Sequence, residues 1–271
     1  MTLAVGIPRS AATPRRWRAS GALRAGGARL GAYAVFLVAI LILWFAANSV
    51  FGVPTFLLPN PGQALTAFLR NADAIGAATT FTIGCTVAGL AVSVVLAVVL
   101  AVLFTLSPSL DRSLTPLVLI VRTLPVIAVA PLLVMLWGRG RWNSIGVVAL
   151  LTFFQLMLAA KRGLQAPTAN VMELMWANGA SFWQTLVKVR LPFALPFLFT
   201  GLRLAAHSAI LSAMFAEWLS GAPGLGYLML DAYSQQNFAL MWSAILVSTT
   251  VAYLFFTVTI MLERAVADRS A

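Results

Sequence analysis

The sequence predicts an all-α polytopic membrane protein with about six transmembrane helices, and three observations carry that prediction. Of 271 residues, 61% are hydrophobic and 9% are charged, too few polar groups to cover a soluble domain of this length. The apolar residues gather into six runs of roughly the 20 needed to cross a hydrocarbon core of about 30 Å. Most of the 18 Lys and Arg lie before or between those runs, the distribution of the positive-inside rule. A net charge of +11 would otherwise suggest nucleic acid, but the placement of the charges argues for membrane lipid and against a nucleic-acid partner.

Residues 1–29 hold six arginines among Gly, Ala, Ser and Pro and read as a flexible basic arm ahead of a transmembrane domain over 30–271. Arg15-Arg16 resembles an export signal, yet the run that follows is longer than a signal's apolar region and lacks a convincing small-x-small cleavage site, so a retained first span over 30–50 is expected. A loop punctuated by Pro54, Pro59, Asn60 and Pro61 follows. The second span lies in the uncharged run 74–110, too long for one straight crossing and expected to begin with an interfacial turn. Gly84 and Ala88, four residues apart within it, suit close helix packing. In 113–138, Pro116, Arg122, Pro125 and Pro131 predict a surface helix to about Arg122, with Arg122 as a cytoplasmic-interface anchor, then a span to Trp137. The fourth, fifth and sixth spans are expected over 145–160, 191–216 and 240–262.

Between the fourth and fifth spans, 165–190 is the longest polar segment after the arm. With six spans, one side of the membrane collects the six arm arginines, Arg112, Lys161, Arg162, Lys188, Arg190, Arg264 and Arg269, whereas the other collects Arg70, Arg139 and Arg141. The imbalance places both termini and 165–190 in the cytoplasm. Within that segment a helix is expected to start after Asn170 and break at Gly179. A second is capped by Ser181 and ended by Leu191-Pro192.

This helix, glycine turn and helix resemble the cytoplasmic loop of the membrane-spanning permease subunits of bacterial ATP-binding-cassette (ABC) importers, whose pattern is E-A-A, three residues, G, nine residues, I, one residue, L-P. Glu173 stands at the E, Gly179 at the G, Val189 at the I, and Leu191-Pro192 complete it. Leu174 and Met175 replace the two alanines and make the segment bulkier. Further along, Leu58-Pro59-Asn60-Pro61, Arg122-Thr123-Leu124-Pro125, Ala130-Pro131-Leu132, Leu191 to Pro196, Thr200-Gly201-Leu202-Arg203, Ala216-Glu217 and Gly224-Leu225-Gly226-Tyr227 are similar to the nitrate, sulfonate and taurine branch, which includes permeases for thiamine precursors. The resemblance implies the type I importer fold and ATPase coupling through Glu173, Leu174, Met175, Ala177, Gly179, Ala180, Ser181, Leu191 and Pro192. It also implies two ATPase subunits, a second permease copy and a periplasmic or lipid-anchored binding protein that delivers a small polar solute to the bacterial inner membrane.

No G-x-x-x-x-G-K-[ST] phosphate loop occurs, so ATP hydrolysis is expected in a separate subunit and no enzymatic activity in this one. With one cysteine, Cys85, and one histidine, His207, no disulfide, Cys-based or His-rich metal site is expected, and no cofactor. Arg203, His207 and Glu217 fall near one face of the fifth span, a candidate pathway wall because ionisable groups at membrane depth face a bundle interior or water. Arg203 alternatively binds a carbonyl or carboxylate for stability, and His207 is alternatively an interior hydrogen-bonded residue. Glu217-Trp218 with Gly221, Gly224 and Gly226 suit an external gate or a re-entrant turn anchored by Trp218 and Tyr227. Two other functions compete. A stand-alone secondary transporter or channel would carry paired broken helices, which the sequence lacks, and a non-transporting membrane scaffold would not require the glycine turn.

Overall fold

The computed structural model describes residue 35 and residues 38–123 and 126–270. The basic arm, the start of the first span and the Leu124-Pro125 pair lie outside the described residues. Among the described residues the secondary structure is helical, joined by turns, with no strand.

Two units are distinguished, 1–55 and 56–271. In the first, the apolar helix α1 (Val38–Ser49) is described. It ends in a turn where the Asn48 side chain donates to the Val53 carbonyl at 3.4 Å and Gly52 takes φ +63°.

In the second unit, α2 (Pro61–Arg70) begins at a capping box: Asn60 Oδ1 accepts from the Gln63 amide and Gln63 Oε1 accepts from the Asn60 amide, both at 3.1 Å. Pro61 at the first helical position needs no amide partner. The helices α3 (Ala72–Leu106), α4 (Pro108–Thr123), α5 (Val126–Trp137) and α6 (Arg141–Leu164) follow. After α7 (Ala169–Ala177), α8 (Phe182–Thr185) leads through a π-turn at Leu186–Arg190 into α9 (Leu191–Ser220). The chain closes with α10 (Leu225–Ser234) and α11 (Phe238–Ser270). Four continuous helices are long and apolar enough to cross a membrane: α3, α6, the run Phe182–Ser220 and α11. The remaining apolar runs appear as α1 and α5, and α5, at 12 residues, rises only about 18 Å. In the third run α4 ends at Thr123 and α5 ends at Trp137, and the expected junction after Arg122 falls on Leu124-Pro125, outside the described residues.

Three expectations are corrected. The run 74–110 has no turn at its start: α3 is one 35-residue helix containing no proline, and the turn falls ahead of it at Asn71. Gly84 is not a contact point within the chain, since a Cβ there would meet nothing within 4 Å. The close approach is one turn later, where a Cβ on Gly89 would lie 2.5 Å from Val148 Cβ. The second loop helix does not end at Pro192 but runs on into α9.

The middle of the unit is α6, packed between α3 and α9. Of its most apolar window, 56% of residues are buried, against 11% for α11, which marks α6 as central and α11 as peripheral. Small residues permit this packing. Ala205, Ala209 and Ala213 repeat every four residues along the buried face of α9, with Leu156, Met157 and Val148 of α6 and Phe104 of α3 in the same core. Side chains this short let the helix backbones approach without an apolar driving force from water, the usual solution inside lipid.

Candidate functional site: an exposed helical knob and the polar residues of α9

The first candidate site is the segment between α6 and α9. The α7 helix starts at Ala169 after Thr168, two residues earlier than a start after Asn170. It ends in a Schellman motif: the Ala180 amide donates to the Met175 carbonyl at 3.0 Å and the Gly179 amide to the Trp176 carbonyl at 2.9 Å. Gly179 takes φ +65°, a left-handed conformation that costs a side-chain-bearing residue about 1–2 kcal/mol. Asn178 adds a side-chain bond to the Leu174 carbonyl. Two residues later Ser181 and Gln184 form a second capping box. The turn is thus held by caps on both sides.

What this knob presents is apolar. Leu174, Trp176 and Trp183 are 62%, 68% and 62% exposed, and Phe182 meets Trp183 edge-on with ring centroids 5.7 Å apart. Glu173, Ala177 and Ser181 are exposed around them, while Met175 and Ala180 are half-buried. Exposed aromatic and aliphatic side chains are thus clustered around the glycine turn.

The root of the knob is rigid. Leu186 is buried among Ala101 of α3, Ala160 and Leu164 of α6 and Ala194 of α9, with Leu191 against the same cluster. Arg190 Nη1 donates to the Leu164 carbonyl at 3.4 Å. Pro192 would ordinarily break the helix, since it has no amide and its ring crowds the carbonyl four residues back. The π-turn, in which the Leu191 amide reaches the Leu186 carbonyl, widens the helix just before it, so the chain passes through Leu191 and exposed Pro192 into α9 unbroken. The base of the knob is thereby packed against α3, α6 and α9.

The pairing of α4 with α6 lies at the same end of the bundle. Lys161 Nζ donates to Asp111 Oδ1, and Thr115 Oγ1 donates to the same oxygen at 2.7 Å. The hydrogen bond from Lys161 foremost, then that from Thr115, holds the Asp111 carboxyl below the usual carboxylate range.

The expected pathway residues of α9 are not brought together. Arg203 pairs with Glu263 of α11 at 3.1 Å, and Thr200 donates to the other Glu263 oxygen at 2.8 Å. His207 is exposed. Glu217 is fully buried and turned toward α3 and α10. Its Oε2 accepts from Thr82 Oγ1 and from the Gly226 amide, each at 3.0 Å, while Thr82 Oγ1 accepts from the Leu225 amide at 2.9 Å. Gly224, the N-cap of α10, has no side chain to offer, so Glu217 and Thr82 cap that helix from two other helices. Glu217 Oε2 thus sits at the positive end of the α10 dipole. Gly224 is required there: a Cβ would lie 2.1 Å from the Glu217 carboxyl carbon.

Sequence reading missed Thr82, Gln155, Thr200 and the partner role of Glu263. Only Gln155 carried a local signal, as the one amide inside the apolar run 145–160. Among the described residues no three His, Cys, Asp or Glu are grouped to hold a metal ion.

Comparison with known proteins places this geometry. Residues 93–270 match the family model described as binding-protein-dependent transport system inner membrane component. The formylaminopyrimidine transport permease protein ThiX of Halalkalibacterium halodurans is 33% identical over 198 residues, covering 71% of this chain and 77% of that one. The riboflavin transport system permease protein RibX of Chloroflexus aurantiacus is 27% identical, covering 85% and 87%. The taurine transport system permease protein TauC of Escherichia coli is 28% identical, covering 72% and 74%. Among solved structures, the inward-facing MetNI methionine ABC transporter matches with a TM-score of 0.62 at 20% identity, over 73% of this chain and 98% of that chain. The chain belongs to the family of binding-protein-dependent transport system inner membrane components, the permease subunits of ABC importers.

Proposed function

We propose that this permease forms, as one of two copies, the membrane pathway of an importer for a small polar solute: a sulfonate such as taurine, a nitrate-like oxyanion or a thiamine-precursor pyrimidine. Both termini and the knob lie in the cytoplasm, following the charge imbalance. Two separate ATPase subunits hydrolyse ATP, this chain has no catalytic role, and a periplasmic or lipid-anchored binding protein presents the solute. One knob engages one ATPase, so two knobs related by a two-fold axis are drawn together when the ATPases close, and the spans switch access. The observation that carries the reading is the knob itself: a doubly capped glycine turn with Leu174, Trp176 and Trp183 outward and Leu186 seated in the core of α3, α6 and α9. A stand-alone transporter or a scaffold needs neither the aromatic surface nor its rigid root.

The test is Gly179→Trp. A Cβ on Gly179 meets nothing within 4 Å, so the indole points out of the chain and into the ATPase groove. The variant is expected to insert normally and to lose solute-stimulated ATP hydrolysis in the reconstituted importer, as is Glu173→Lys. Wild-type stimulation in Gly179→Trp refutes the coupling assignment.

A further inference from the structure

A groove of about 810 Å³ runs along α6 between α3 and the end of α5. Val92, Leu96 and Val99 of α3 are exposed along one wall. The only polar side-chain atoms lining it are the indole nitrogens of Trp137 and Trp142. Its α6 wall extends from Trp142 to Phe153, a length of about 16 Å.

Charge fixes where that length lies in the bilayer. Arg141 opens α6 and Lys161 stands in its last turn, about 30 Å apart at the helical rise and so one hydrocarbon core apart. The groove therefore begins just inside one interface and stops near the midplane. It has the depth of a single leaflet.

The entrance is built differently from the walls. The turn from α5 to α6 reads Trp137-Gly138-Arg139-Gly140-Arg141-Trp142, and Gly138 and Gly140 take φ +73° and +109°, backbone conformations that side-chain-bearing residues rarely adopt. Trp137 seats on α6: a Cβ on Gly146 would lie 2.4 Å from its ring, so the indole occupies the place of a side chain there. Trp142 is exposed beside it. Two indoles at this depth are interfacial anchors. Arg139 and Arg141 are exposed, and neither joins an ion pair among the described residues, where the pairs are Lys161 with Asp111 and Arg203 with Glu263. The Arg141 guanidinium lies 5.4 Å over the Phe81 ring. Phe81, Val92 and Val99 fall on one stripe of α3, within about 20° of one another, so this cation stands above the α3 wall of the groove.

We propose that the groove holds one anionic phospholipid, with an acyl chain along the wall of Val92, Leu96 and Val99 and its phosphate against Arg139 and Arg141. Two unpaired cations above an apolar trough one leaflet deep match a molecule that is anionic at one end and hydrocarbon at the other. A zwitterionic lipid offers the same chains but brings an ammonium toward two guanidinium groups. In the topology proposed above, the lipid comes from the periplasmic leaflet.

The first experiment is native mass spectrometry of the full chain in detergent, titrated with phosphatidylglycerol and with phosphatidylcholine of the same acyl chains. The first phosphatidylglycerol is expected to bind about ten-fold more tightly than the first phosphatidylcholine. The double variant Arg139→Gln, Arg141→Gln is expected to erase the preference. The control Arg70→Gln, Arg162→Gln removes the same charge from exposed arginines elsewhere and is expected to keep it. If the double variant fails to fold, each single variant reads the same site with an expected loss of about three-fold. The second experiment places p-benzoylphenylalanine at exposed Leu96 and irradiates native membranes. The intact mass is expected to gain one phospholipid, enriched in phosphatidylglycerol over the membrane extract. Equal affinity for the two lipids in the wild type, a preference that survives loss of Arg139 and Arg141, or one lost equally in the control overturns the proposal. So does an adduct that follows the bulk lipid composition, or a cross-link to α1 or to a second copy of the chain in place of lipid.

Discussion

Gly224→Ala is the sharpest test of the buried cap that joins α3, α9 and α10. A Cβ at this position would lie 2.1 Å from Glu217 Cδ and 2.3 Å from each carboxyl oxygen, whereas ordinary contact needs more than 3 Å. The carboxyl is fully buried, so it has nowhere to retreat except out of the 3.0 Å bonds to Thr82 and the Gly226 amide. Loss of a helix cap costs about 1 kcal/mol, and leaving the carboxyl and the Gly226 amide buried without partners about 1–3 kcal/mol each, roughly 3–7 kcal/mol together. The assay is thermal unfolding of the detergent-solubilised chain, with Gly84→Ala as the control. Gly84 is helical, exposed and free of neighbours, and its substitution is expected to be neutral or to stabilise by about 0.5–1 kcal/mol. Glu217→Gln keeps an acceptor oxygen at the cap and is expected to fall between wild type and Glu217→Ala. A Gly224→Ala chain that melts with Gly84→Ala refutes the cap.

Two further outcomes follow from the polar contacts. The Asp111 carboxyl is held below its ordinary range, so its bond to Lys161 contributes stability that is complete above pH about 4 and is lost as pH falls through the lowered folded value. Asp111→Asn should remove that dependence, so its stability should fall less than the wild type's as pH drops from about 5 to below 4, and an equally steep loss in the variant contradicts the pairing. Arg203→Ala should slow uptake without changing which solute is carried, because the guanidinium is paired with Glu263, and a switched solute preference measured in vesicles contradicts it.

The helices were legible because apolar run length alone dictates them in lipid. The glycine turn was legible because Gly179 and Ser181 are local signals that act within four residues. What the sequence hid is tertiary. Arg203, His207 and Glu217 are within a third of a turn of one another by helical periodicity, yet a small rotation around α9 separates a pair with α11, an exposed ring and a buried cap. Thr82 and Gly224 are 142 residues apart and acquire meaning only when α3 meets the start of α10. The π-turn was invisible because Pro192 read as a stop. The widened turn before it, which lets the helix pass, is a property of backbone bonding and not of residue type.

The central claim is that the knob faces the cytoplasm and touches a separate ATPase. Leu174→Cys tests it most directly, since Leu174 is exposed and the chain's one native cysteine, Cys85, is buried. In intact cells the new thiol should resist a membrane-impermeant maleimide added from outside, and in inverted membranes it should cross-link to the importer's ATPase, with nucleotide changing the yield. Labelling from the outside of intact cells, or a thiol equally reactive with and without the ATPase, would contradict the account.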